Sequence, residues 1–121
     1  MTDGVTKGSS DSAALARELD RVADRLRVIG PRYAARDTPE AAAVLDGVRA
    51  AIQRLADLAA DAEGLPRRVV PRLAPYALAD QVLVLGHDLL VAAGAGPEGS
   101  TPEDPALSAG RDLLVELRRA L

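Results

Sequence analysis

The chain has 121 residues, 48% of them hydrophobic, a length that suits one domain. It contains no cysteine, which excludes disulfides, thiolate catalysis and Cys-ligated metals. The net charge is −3 and arginines alternate with carboxylates without forming a basic tract, so nucleic acid is not an expected partner.

The apolar residues are of one kind: 24 Ala and 18 Leu, with two Tyr and no Phe or Trp. Ala and Leu are strong helix formers, whereas the aromatic residues that favour strands are nearly missing. The expected class is all-α. Arginine supplies 14 of the 15 basic residues. Together with the abundance of Ala, this reads as the codon bias of a high-GC bacterium rather than as phosphate binding.

Residues 1–10 carry Gly and Ser without apolar periodicity and are expected to form a disordered tail. Residues 11–121 are then a single helical bundle domain. From Asp11 or Ser12, either of which can cap a helix, Leu15, Leu19, Val22, Leu26 and Ile29 recur at helical spacing. The charges from Arg17 to Arg27, Glu18 among them, are expected on the opposite face, and Gly30-Pro31 is a stop signal.

Thr38-Pro39-Glu40 combines a hydroxyl cap, proline at the first helical position and an acid at the positive end of the dipole. It starts a second helix with the stripe Ala41, Leu45, Val48, Ile52, Leu55, Ala59 and Ala62, ending at Gly64. This helix is expected to be the longest strut and to overhang its neighbours. The segment LPRRVVPRLAP, 65–75, reads as an extended connector across an end of the bundle.

A third helix is expected from about Tyr76 to Ala93. Its polar residues Asp80, Gln81, His87 and Asp88 fit an arc of roughly 120°, with Val84 on that edge and Leu85 and Leu89 near the centre of the apolar arc, which predicts a deeply buried helix with one wet edge. After the linker at 94–105, Thr101-Pro102-Glu103-Asp104 repeats the earlier start signal. The last helix presents Ala106, Gly110, Leu113, Leu114, Leu117 and Leu121. The sum is a four-helix bundle with a disordered N-terminal tail.

MTDGVTKGSSDS has no apolar signal-peptide core, and Asp80, Gln81, His87 and Asp88 interrupt the most apolar stretch. A cytoplasmic location without membrane association is expected. For a nucleophilic triad with the lone His87 the one serine outside the tail and linker is Ser108 on the fourth helix, which has no nucleophile-type turn around it, and a di-iron bundle needs two histidines. No metal, cofactor or catalytic residue is therefore assigned.

Two readings of function stay open. In the first, the chain is a non-enzymatic interaction or scaffold module for a protein partner or a second copy of itself. In the second, it is a small-ligand-binding or catalytic bundle. The candidate binding residues are Arg67, Arg68, Arg72 and Tyr76 on the connector, with Asp80, Gln81, His87 and Asp88 on the helix edge. Three guanidiniums near a tyrosine suit a carboxylate or an acidic peptide. The competing roles are helix capping and pairing with Asp57, Asp61 or Glu63. Tyr33, between Arg32 and Arg36, offers a similar feature at another corner.

Overall fold

The computed structural model describes residues 7–94 and 105–121, with backbone alone for 7–10 and Gly94. Its elements are α1 (Lys7–Ala35), α2 (Pro39–Glu63), a short 3₁₀ turn (Pro75–Ala77), α3 (Leu78–Gly94) and α4 (Pro105–Ala120). The described residues contain four helices and no strand, an all-α four-helix bundle. Of the tail expected to be disordered at 1–10, residues 7–10 are instead helical and 1–6 lie outside the described residues, as does the Thr101-Pro102-Glu103-Asp104 start signal.

α2 forms as its sequence dictates. Thr38 is extended, and its Oγ1 accepts the Ala41 N–H at 3.1 Å. At the other end Gly64 has φ 71°, a left-handed conformation that glycine adopts without a Cβ penalty. Gly64 N–H then reaches the Asp61 carbonyl and Leu65 N–H the Ala60 carbonyl, which satisfies the last carbonyls of the helix.

α1 departs from expectation at both ends. It begins at Lys7, before Asp11, and it continues through Pro31 to Ala35, so Gly30-Pro31 does not stop it. The proline removes one backbone donor; Ile29 and Gly30 before it are buried, while the turn that follows is largely exposed. Gly30 is buried beside the 3₁₀ turn, near the Pro75 carbonyl. At 29 residues against 25 for α2, α1 is the longest strut.

The topology follows from cross-helix pairs. Arg27 meets Asp80, and Leu19 lies against Gly86, so α1 and α3 are antiparallel. Arg118 meets Glu18, and Arg25 bonds the Leu121 carbonyl, so α1 and α4 are parallel. Gln81 lines a pocket with Arg49 and Gln53, and Val84, Leu85 and Asp88 line a groove with Ala56, Ala59, Ala60 and Glu63, so α2 and α3 run the same way and the chain must climb back between them. The ten connector residues 65–74, at about 3.1 Å each when extended, span roughly 31 Å. α3 is about 25 Å long, so this reach is sufficient.

The connector does not cross an end of the bundle. It forms a strap along the flank of α2, and its backbone, which lacks a ladder, is satisfied by side chains. Gln53 takes the Val70 N–H at 2.9 Å and donates to the Arg68 carbonyl at 2.8 Å. Arg49 donates to the Leu73 carbonyl and Gln81 to the Pro71 carbonyl. Both glutamines of the chain serve this strap.

The core joins Leu15, Leu19, Val22 and Leu26 of α1 to Val48, Ile52 and Leu55 of α2, Val82 and Leu89 of α3, and Leu107 and Leu114 of α4. Leu107 was absent from the expected stripe of α4. α3 is less enclosed than expected: Leu83, Leu85 and Leu90 are half-buried, while the exposed Val84 and Val91 lie on its wet edge. Among the described residues, Pro75–Ala93 is long and apolar enough to cross a membrane by length and composition, a test that core helices also pass.

Two glycines in these helices predict mutations of opposite sign. A Cβ on Gly86 would fall 2.6 Å from Cδ1 and 2.8 Å from Cγ of Leu19, which is fully buried. Gly86→Ala should cost about 1–3 kcal/mol through overpacking, despite the better helix propensity of alanine. Nothing lies within 4 Å of a Cβ on Gly47, so Gly47→Ala should stabilise by about 0.5–1 kcal/mol. Urea midpoints that moved in the same direction for both would refute the close α1–α3 approach at Gly86.

Glu18 corrects another expectation. It is not on the solvent face of α1, because α4 docks over it and leaves it 6% exposed. Arg118 Nε donates to Oε1 and Arg21 Nη1 to Oε2, both at 2.9 Å. Burial alone would raise the carboxyl, but the bonds from Arg118 and then Arg21 outweigh it and hold the group below its ordinary value of 4.5. A depressed carboxyl stabilises the fold above its unfolded value, and that contribution is lost as pH falls through the folded value. Glu18→Gln should therefore destabilise by about 1–3 kcal/mol at neutral pH. The gap from wild type should narrow below the ordinary carboxylate value, as urea titrations across that range would measure.

Candidate functional site

The strap, the carboxyl-terminal half of α2 and the outer face of α3 enclose an open groove of about 740 Å³. Ala56, Ala59 and Ala60 form its α2 wall, while Leu65, Val69 and Leu73 line the strap and Val84 and Leu85 line α3. The groove exists because α2 and α3 are parallel, which forces the return strap to lie beside them instead of a third helix. An extended chain has a smaller cross-section and less side-chain volume than a helix, so the cleft stays unfilled.

Much of this lining is aliphatic surface left in water. Val69 is 90% exposed, Val84 59% and Leu65 54%. Apolar residues scattered singly are ordinary on a protein surface, but these converge on one concavity. The polar lining is sparse: Glu63 on α2, Arg68 on the strap, and Asp80, Gln81 and Asp88 on α3.

Four of the eight expected site residues thus meet in the groove: Arg68, Asp80, Gln81 and Asp88. Asp80 also faces Arg27 at 3.7 Å, and Gln81 is engaged with the Pro71 carbonyl at 3.0 Å. The three guanidiniums do not converge. Arg67 binds Asp61 through Nε and Nη2, at 3.1 and 2.7 Å, and approaches Asp57 at 4.0 Å. The Arg67 bond lowers the Asp61 carboxyl below its ordinary value, and Asp61 in turn raises Arg67. Arg67 therefore has the pairing role, consistent with its place just beyond the end of α2.

Arg72 lines a separate pocket of about 260 Å³ beside Arg49 and Gln53. There the buried Arg49 Nε has no hydrogen-bond partner, and it is too enclosed for a ligand atom to reach. Tyr76 is 85% exposed on the 3₁₀ turn and lies outside both concavities. His87 is exposed, about 90° around the α3 axis from the middle of the groove. Tyr33 lies under the Arg36 guanidinium, 5.7 Å from its centroid, which makes a local cation–π pair.

Leu65, Val69, Leu73 and Val84, the apolar walls, were not among the expected site residues. The sequence did carry a signal for the first three. A solvated linker is usually polar, yet this one sets aliphatic residues between its prolines. Among the described residues, no group of three or more His, Asp or Glu side chains is placed to hold a metal ion. No protein-family model matches the chain, and neither the curated proteins nor the solved structures contain a significant match.

Proposed function

We propose that the protein is a non-enzymatic interaction module of the cytoplasm whose groove receives an apolar segment of a protein partner. The observation that carries this reading is the convergence of Val69, Val84 and Leu65 on one concavity while more than half exposed. A partner's side chains would bury these surfaces, and aliphatic burial contributes about 25 cal/mol per Å² removed from water. The open form of the groove suits an extended macromolecular surface better than an enclosed small molecule.

Affinity capture from extract of the native host tests the proposal with three baits. Wild type and Val28→Asp, a change at an exposed valine of α1 outside the groove, should retain the same protein. Val84→Asp should lose it while keeping its thermal midpoint within a few degrees. An identical set of captured proteins for all three baits would refute the groove as the interaction site.

The volume of the groove supports a second reading, since about 740 Å³ lies within the range of small-molecule sites, roughly 300–1,000 Å³. Native mass spectrometry of freshly purified protein separates the two. A retained small-molecule mass favours a ligand-binding bundle, whereas a partner-sized mass favours the interaction module.

A further inference from the structure

The charges around the groove define its occupant further. Because α2 and α3 are parallel, both direct their carboxyl ends, the negative ends of their dipoles, toward the same end of the bundle. Neither helix has a basic residue in its last turn. Glu63 sits at that end of α2 and Asp88 follows on α3, against Arg68 as the single basic residue of the lining, while Asp80, in the first turn of α3, is paired with Arg27. Arg67 does not neutralise this end, since it is held between Asp57 and Asp61.

The strap also limits what form the occupant takes. Pro66, Pro71 and Pro75 have no N–H, and side chains of α2 and α3 already hold the Val70 N–H and the Arg68, Pro71 and Leu73 carbonyls. The strap is therefore a poor template for an added strand. What it offers is side-chain surface, the kind that an amphipathic helix covers. From Ala77 of the 3₁₀ turn to Asp88 of α3 the lining rises about 17 Å, the length of three helical turns.

We propose that the groove binds a basic amphipathic helix of a protein partner, with about three turns of aliphatic residues seated between strap and α3. Lys or Arg residues flanking that stripe face Glu63 and Asp88. This rests on the interaction-module reading above and adds the charge and form of the partner.

The test uses the full-length chain and a displayed library of 16-residue peptides. Their Leu, Val and Ala occupy helical i, i+3, i+7 and i+10 positions, and Lys, Glu and Ser are randomised elsewhere. The enriched pool should be rich in Lys at flanking positions. A Lys-flanked member should bind about tenfold tighter at low salt than its Glu-flanked counterpart, an advantage that shrinks as the Debye length falls toward about 3 Å at 1 M salt. Glu63→Lys with Asp88→Lys should abolish or reverse the preference, and both sites are exposed, so the fold should survive.

Enrichment of Glu-rich or uncharged flanks, dependent on Val84, overturns the basic helix but leaves the apolar groove standing. A library from which nothing is enriched in a Val84-dependent way overturns both readings. A doubled mass of the protein alone, reversed by Val84→Asp, makes a second copy the occupant and also overturns the proposal.

Discussion

Leu89→Ala is expected to destabilise the protein by about 2–5 kcal/mol, a large share of the roughly 5–15 kcal/mol that holds a small domain folded. Leu89 is fully buried at the junction of three helices. Its Cδ2 would lie 2.6 Å from a Cβ at Gly110 on α4, and Leu15 of α1 approaches the same glycine. Truncation leaves a cavity that rigid helix backbones on three sides cannot close. Val84→Ala, on the exposed side of α3, should cost under about 1 kcal/mol. Leu85→Ala should fall between the two, because Leu85 is half-buried at the groove rather than central. Urea denaturation of the three variants would measure the order, and a Val84 cost above that of Leu89 would mean that α3 is rotated.

That order shows what could be read from the sequence of α3. Turning each residue by about 100° placed Val84 among the polar residues and Leu89 opposite them, and both positions hold. Leu85 was placed nearly as deep as Leu89. Periodicity gives the direction of a side chain around an axis, but not which neighbour covers it. On the Leu85 side that neighbour is the strap, which leaves a cleft.

The same distinction explains the other differences. Local chemistry fixes the ends of α2, so Thr38 and Gly64 were legible from composition alone. Gly30-Pro31 is an equally strong local signal, yet α1 runs one largely exposed turn past it, and nothing in the packing of that turn explains the difference. Glu18 lies three residues after Leu15 and four before Val22, within reach of the core stripe, yet its burial depends on Arg118, 100 residues away. The groove arises from helix direction, and direction rests on whether the connector crosses an end or climbs a flank. Its prolines predict extension without giving a course. Of the candidate site, Asp80, Gln81 and Asp88 were accordingly legible on one edge of α3 and Arg68 on the connector, whereas the convergence of its apolar walls follows only from the parallel α2–α3 pair.

Removing residues 105–121 is expected to abolish cooperative folding. α4 packs on its own bundle, and its largest contact is with α1 rather than with α3. Leu107, Leu114 and Leu117 are buried along it, exposed by 1%, 0% and 7%. At about 1.5–3 kcal/mol each, these three side chains alone contribute roughly 5–9 kcal/mol, comparable to the whole stability of a domain this size. Their loss would also uncover Leu15 and Leu89 and leave Glu18 without its Arg118 partner in a partly apolar surround. The remaining three helices cannot close that face, because the strap occupies the opposite flank of α2 and reaches no farther. The truncated chain should bind a hydrophobic dye, lose its sharp urea transition and associate at micromolar concentration. A synthetic peptide of residues 105–121, added in trans, should restore the transition in proportion to its concentration by mass action. A truncated chain that stayed monomeric, dye-negative and cooperative would instead make α1–α3 the folding unit and α4 a detachable arm.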